Sequence, residues 1–145
     1  MIKVNFVCVG NLKEKFFEDA AAEYIKRLSR FCKVEVKELA EKSGPEEEAE
    51  SILRSVKGHV IVLAVEGRKC TSEAFAKKIA ACADKGEELT FVIGSSEGLS
   101  PRVKERADEL ISFSDMTFPH RLMRVILLEQ IYRGFMINAG AKYHK

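Results

Sequence analysis

Three short segments carry the residue types that could grip a small, flat ligand: Leu63-Ala64-Val65-Glu66-Gly67, Gly94-Ser95-Ser96-Glu97-Gly98-Leu99-Ser100 and Phe113-Ser114-Asp115-Met116-Thr117-Phe118-Pro119. Glycine lets backbone approach a ligand closely or take φ > 0. Small hydroxyls and free N–H groups suit an adenine or ribose edge, and Leu63, Phe113, Met116 and Phe118 could wall a base. Taken singly, each segment reads more readily as an ordinary loop; the interest lies in having three.

Other chemistries find little support. There is no G-x-G-x-x-G, no G-x-x-x-x-G-K-[ST] and no G-x-S-x-G, so dinucleotide, P-loop and hydrolase-elbow readings lose ground. The four cysteines, Cys8, Cys32, Cys70 and Cys82, form no C-x-x-C pair and fit no zinc spacing, so reduced thiols are expected. With three histidines in the chain, no metal site is expected. Glu129 and Arg133 stand at i, i+4, the spacing of a helix-surface bridge.

Charge is unevenly placed. The net is +2, yet residues 1–100 hold 16 basic and 17 acidic side chains, whereas residues 116–145 hold five basic residues against Glu129 alone. That concentration fits a phosphate footprint as well as it fits a solvated helix face. The opening MIKVNFVCVG lacks a cleavage site and runs into Lys13-Glu14-Lys15, unlike a signal peptide. No run approaches the roughly 20 apolar residues of a membrane span. A cytoplasmic protein is expected.

The elements that must position the three segments alternate in type. Ile2–Val9 reads as a buried strand and Phe16–Leu28 has helical spacing of apolar residues. Lys33–Leu39 alternates like a strand with one wet face. Ser43-Gly44-Pro45-Glu46 reads as a capping box opening a helix to about Val56. His59–Val65 is a strand ended by Glu66-Gly67, and Ser72–Ala83 a helix capped by Thr71 or Ser72. Leu89–Ile93 is a strand, Ser100-Pro101 opens a short helix, and Leu110–Phe113 is a short strand. His120–Asn138 is the longest helix, ended by Gly140. This order predicts one α/β domain over residues 1–145 with a mostly parallel sheet flanked by helices. Ligands of such sheets bind beyond the carboxyl ends of the strands, where the three segments fall. Apolar residues wrap widely around the last helix (Leu122, Val125, Ile126, Leu128, Ile131, Phe135), which suggests burial against both the sheet and a partner.

The stretch FVIGSSEGLSPRVKERADELISFSDMTFPHRLMRVILLEQIYRGFMINAGAKYHK closely resembles the C-terminal part of the RlmH family, and MIKVNFVCVGNLKEKFFEDAAAEYIKRL is similar to that family's start. The likeness spans essentially the whole chain. It implies a SPOUT-class homodimer with a C-terminal trefoil knot, using S-adenosylmethionine to methylate N3 of a pseudouridine in helix 69 of 23S rRNA on the ribosome. It places cofactor contacts on Leu63, Gly94, Phe113, Ser114, Asp115, Met116, Thr117 and Phe118. Where many relatives have two glycines, this chain has Gly94-Ser95, and Ala40–Gly58 is shorter than in some relatives. With the resemblance, the terminal Tyr143-His144-Lys145 becomes a candidate for completing the partner's active site, in place of a frayed end. An imide N–H must lose its proton before it can attack. His144, with an ordinary pKa of about 6.5, is the candidate base. Tyr143 would stack on or hydrogen-bond the target, and Arg124 or Lys145 would favour the developing anion. Arg121, Arg124 and Lys145 are the expected RNA contacts. Two other readings compete: a non-catalytic RNA-binding or ribosome-assembly factor on the same fold, and a flavodoxin-like redox module, which the unpatterned cysteines disfavour.

Overall fold

The computed structural model describes residues 1–145. Five strands and five helices alternate: β1 (Ile2–Val9), α1 (Lys15–Leu28), β2 (Cys32–Leu39), α2 (Pro45–Ser55), β3 (His59–Lys69), α3 (Ser72–Lys85), β4 (Leu89–Ile93), α4 (Pro101–Arg106), β5 (Glu109–Ser112) and α5 (His120–Asn138). All strand pairs are parallel, in the order β2-β1-β4-β3-β5. Successive strand residues point to opposite faces, so β1 feeds two cores. Val4, Phe6 and Cys8 pack with residues of α1, α3 and α5, whereas Val7 and Val9 pack with Ala49 and Ile52 of α2 and Val103 of α4. The result is a helix–sheet–helix sandwich.

Three local expectations need correction. Ser43 does not cap α2: the helix starts from Gly44 with no side-chain cap, because Glu46 accepts instead from the Ser100 hydroxyl at 2.5 Å. β5 ends at Ser112, since Phe113 turns away to meet Phe75 edge-on, with ring centroids 6.0 Å apart. β3 runs past the expected stop to Lys69. Its pairing with β5 lapses after Leu63↔Ile111 and resumes at Arg68↔Ile111, so Ala64–Gly67 bulges out of the ladder. Gly67 permits the return: a Cβ there would lie 2.7 Å from both Ile111 N and Leu110 C. Thr71 and Ser100 do cap α3 and α4 as their types predict.

α5 crosses the α1/α3 face of the sheet. Gly134 lets it sit close to α3, where a Cβ would meet Ile79 Cδ1 at 2.8 Å. Leu128, Ile131 and Phe135 are buried inward, while Leu122, Val125 and Ile126 remain half-exposed.

Candidate active site

At the carboxyl ends of β3, β4 and β5 lies an open cavity of about 790 Å³. Its walls come from the β3 bulge, the loop after β4 and the loop between β5 and α5, so the three segments singled out in the sequence meet around one space. Leu63, Gly94, Phe113, Ser114, Met116, Thr117 and Phe118 all line it, and so does Arg121.

Gly94 is required by space. The turn Ser95–Gly98 folds back over it, with Gly98 N–H donating to Ser95 O at 3.0 Å, and a Gly94 Cβ would come within 2.7 Å of Gly98 O and Leu99 Cγ. Gly98 supplies the positive φ (+87°), and Ser95 does not take one. A serine at position 95 therefore carries no backbone strain, and the departure from the family's two glycines leaves the loop intact. Val65 and Met116 give the rim an exposed apolar edge. Lys104 reaches back to Glu66 at 2.7 Å, which ties α4 to the bulge and holds the Glu66 carboxyl below its usual range.

Several lining residues carried no sequence signal. Glu41 enters from the end of β2, Lys104 from the first turns of α4, and His120 from the start of α5. His120 adjoins the Phe118-Pro119 loop, a proximity that could have nominated it. Burial, then the neighbouring Arg121 cation, pull its pKa below the usual value, and its Nε2 is buried with no partner.

The remaining expected residues lie elsewhere. Asp115 is exposed and pairs with Lys69 at 2.5 Å, outside the cavity. Arg124 is not at the surface. Its side chain is 8% exposed and donates to Glu38 at 2.6 Å and to Gly10 O at 2.7 Å, clamping β2 and the β1–α1 turn onto α5. Its guanidinium is thus engaged within the chain, against the expectation of an RNA or substrate contact. Lys145 is exposed at the chain end, away from the cavity of its own chain.

Tyr143 and His144 fold onto the far half of α5. The Tyr143 hydroxyl donates to Glu129 at 2.8 Å, and burial followed by this hydrogen bond pushes its pKa up to about 12, so it stays a phenol. Arg133 bridges Glu129 at 2.7 Å and faces His144 Nδ1 at 3.1 Å. Because a guanidinium can only donate, His144 Nδ1 is the acceptor and the ring proton sits on Nε2, which faces Glu73 at 2.8 Å. Both nitrogens are occupied, and the lone pair that could take a proton, on Nδ1, is the one held by Arg133. No group of three potential metal-ligating side chains occurs, and no helix is long and apolar enough to cross a membrane.

The fold is shared with solved structures. A probable methylase family protein from Haemophilus influenzae Rd KW20 superposes with a TM-score of 0.62 at 11% identity, covering 98% of this chain and 70% of that one. A probable methyltransferase from Bordetella pertussis Tohama I gives 0.61 at 11% identity over 92% and 94% of the two chains. The family described as "Predicted SPOUT methyltransferase" matches residues 2–144, and the chain belongs to the SPOUT methyltransferase family. Among its relatives, the ribosomal RNA large subunit methyltransferase H of Lactobacillus johnsonii is 46% identical over 159 residues, covering 99% of this chain and 100% of that protein. The protein of the same name from Streptococcus thermophilus (strain LMD-9) is 48% identical with the same coverage. These full-length relatives bear out the RlmH resemblance.

Proposed function

We propose that this chain is a cytoplasmic, single-domain, homodimeric methyltransferase that uses S-adenosylmethionine to methylate N3 of a pseudouridine in helix 69 of 23S rRNA on the ribosome. The observation that carries the reading is the convergence of three separate strand-end loops on one cavity, in a chain whose full-length relatives bear a large-subunit rRNA methyltransferase name.

The residues present fit the cofactor. The cavity volume falls inside the range of about 300–1,000 Å³ typical of ligand pockets. Leu63, Ile111 and Phe113 offer apolar surface to an adenine, and the Gly94 backbone is bare where a side chain would collide. Bound there, S-adenosylmethionine supplies an electrophilic methyl group and leaves as a neutral thioether. Asp115, outside the cavity wall, would need the loop to close before touching it. The β3 bulge, with Gly67 against β5 and the Phe113–Pro119 loop beside it, is consistent with the threading of a trefoil knot.

The chain's own residues then have to seat the RNA and take the imide proton. Arg121, on the cavity rim with one hydrogen bond to Asn11 O at 3.1 Å, is the RNA contact best placed by geometry. The tail is absent from the cavity of its own protomer. This supports a role at the partner's site, with the half-exposed face of α5 (Leu122, Val125, Ile126) forming the dimer seam. His144 would act as base there once its Nδ1 is free of Arg133, with Lys145 beside the RNA. A non-catalytic assembly factor needs no such cavity.

The deciding experiment is methylation of intact ribosomes with the modified nucleotide mapped. A single N3-methylated pseudouridine in helix 69 is expected; methylation elsewhere, or none with cofactor bound, overturns the reading. Deleting Tyr143–Lys145 should leave cofactor affinity nearly intact and abolish transfer. Full activity after the deletion removes the tail's role.

A further inference from the structure

A second, smaller cavity of about 220 Å³ adjoins the first, and Phe113 and Phe118 line both. Its other walls include Phe75 and Ile126, with Ser72 and Gln130 as polar members. We propose that this cavity seats the target base, an imide-bearing six-membered heterocycle drawn out of the RNA, beside the cofactor cavity. The inference rests on the methyltransferase reading given above.

Three observations carry it. The first is size: the space is below the roughly 300 Å³ at which ligand pockets usually begin. That volume is on the scale of one heterocycle and well short of a second cofactor molecule. The second is surface. Phe75, Phe113 and Phe118 all line it, with Phe75 and Phe113 packed edge-on at 87°, which gives a flat ring an aromatic wall. The third is edge chemistry. An imide presents acceptor, donor and acceptor in a row, and its reader must offer both hydrogen-bonding senses. Ser72 Oγ donates to Gln130 Oε1 at 2.8 Å across α3 and α5. Released from that internal bond, the Ser72 hydroxyl can donate and Gln130 Oε1 can accept, while the Gln130 amide nitrogen donates to Glu129 at 3.1 Å. Thr71 is not free to do so, since its hydroxyl caps α3 at Ala74 N.

Enzymes that work on a base remove it from the stack and read its edge in a pocket of this kind.

Cys70 gives direct access for a test. It lines this cavity and not the larger one, and it is the one cysteine that is not buried. Treating the full-length protein with dithiobis(nitrobenzoic acid) at mildly alkaline pH places an aromatic thiol on Cys70 as a mixed disulfide, and dithiothreitol removes it. The blocked protein should bind S-adenosylmethionine with unchanged affinity, lose methyl transfer to ribosomes roughly 100-fold and regain it on reduction. Gln130→Leu should raise KM for ribosomes and lower kcat with cofactor affinity unchanged. Normal transfer by the blocked protein, or loss of cofactor binding on blocking, overturns the proposal. An unblocked parent that methylates no ribosome would instead defeat the functional reading.

Discussion

At Gly94 a hydrogen stands where any side chain would strike backbone. Gly94→Ala places a methyl group 2.7 Å from Gly98 O, a contact that only a shift of the turn can relieve. Because that turn borders the cavity proposed for the cofactor, the expected effect falls on binding: a rise in Kd for S-adenosylmethionine of about tenfold or more, some 1.4 kcal/mol, read by calorimetric titration. Unchanged affinity would mean that the turn takes no part in the site. Arg124 behaves oppositely. Arg124→Met fills similar space but leaves Glu38 and Gly10 O without their partner. Glu38 is 42% exposed and can rehydrate, so the expected loss is about 2 kcal/mol, seen as a lower urea midpoint with RNA affinity of the folded protein retained. Lost RNA affinity at an unchanged midpoint would return Arg124 to the RNA surface. The difference between these residues was only half legible in the sequence. A glycine among small hydroxyls at a strand end announces a ligand loop. An arginine in a basic helix gives no sign that a carboxylate from a distant edge strand will claim it.

Elements were legible where a period or a cap decides them. A run of β-branched apolar residues marks β1, and Thr71 and Ser100 mark the starts of α3 and α4 through their own hydroxyls. β3 was misjudged because its last residues depend on β5, which arrives some 40 residues later and re-pairs with Arg68 and Lys69 beyond the bulge. The start of β5 is itself held by side chains. Glu109 accepts from Lys78 Nζ on α3 at 2.5 Å and meets His59 Nε2 on β3 at 2.6 Å. Burial alone would raise its pKa, but the hydrogen bonds from Lys78 and then His59 outweigh it, and the net shift is downward from 4.5. A carboxylate depressed in the folded state contributes stability that is present above its unfolded pKa and is lost as pH falls through the folded one. Glu109→Gln should therefore be less stable than the parent at neutral pH, and the gap should close as pH drops below 4.5. Urea midpoints across an acid pH series test this; parallel curves for the two proteins would show that the cluster gives β5 no pH-dependent hold.

The whole molecule is where the sequence alone was silent. Neither the proposed knot nor the proposed second copy would leave a periodic trace, since both concern segments far apart in the chain or in different chains, and only the breadth of the apolar stripe on α5 points outward. The tail sharpens the question. Tyr143 and His144 are pinned to Glu129, Arg133 and Glu73 of their own protomer, yet they line neither cavity there. If each tail serves the partner, two differently damaged chains can repair one another. A Gly94→Ala chain has a spoiled cofactor loop but an intact tail, and a chain lacking Tyr143–Lys145 has the reverse. In a heterodimer of the two, the intact tail reaches the intact cavity at one of the two sites. With cofactor kept well below the raised Kd of the Gly94→Ala site, co-refolding the two variants at equal concentration should raise methyl transfer to ribosomes above that of either homodimer. If instead the tail works on its own protomer's cavity, every site in every combination lacks one half, and no mixture rises above its parents. Mixed dimers that sediment as dimers and show no such rise would therefore refute tail exchange, and recovered activity would require that the seam along α5 join two halves of one catalytic site.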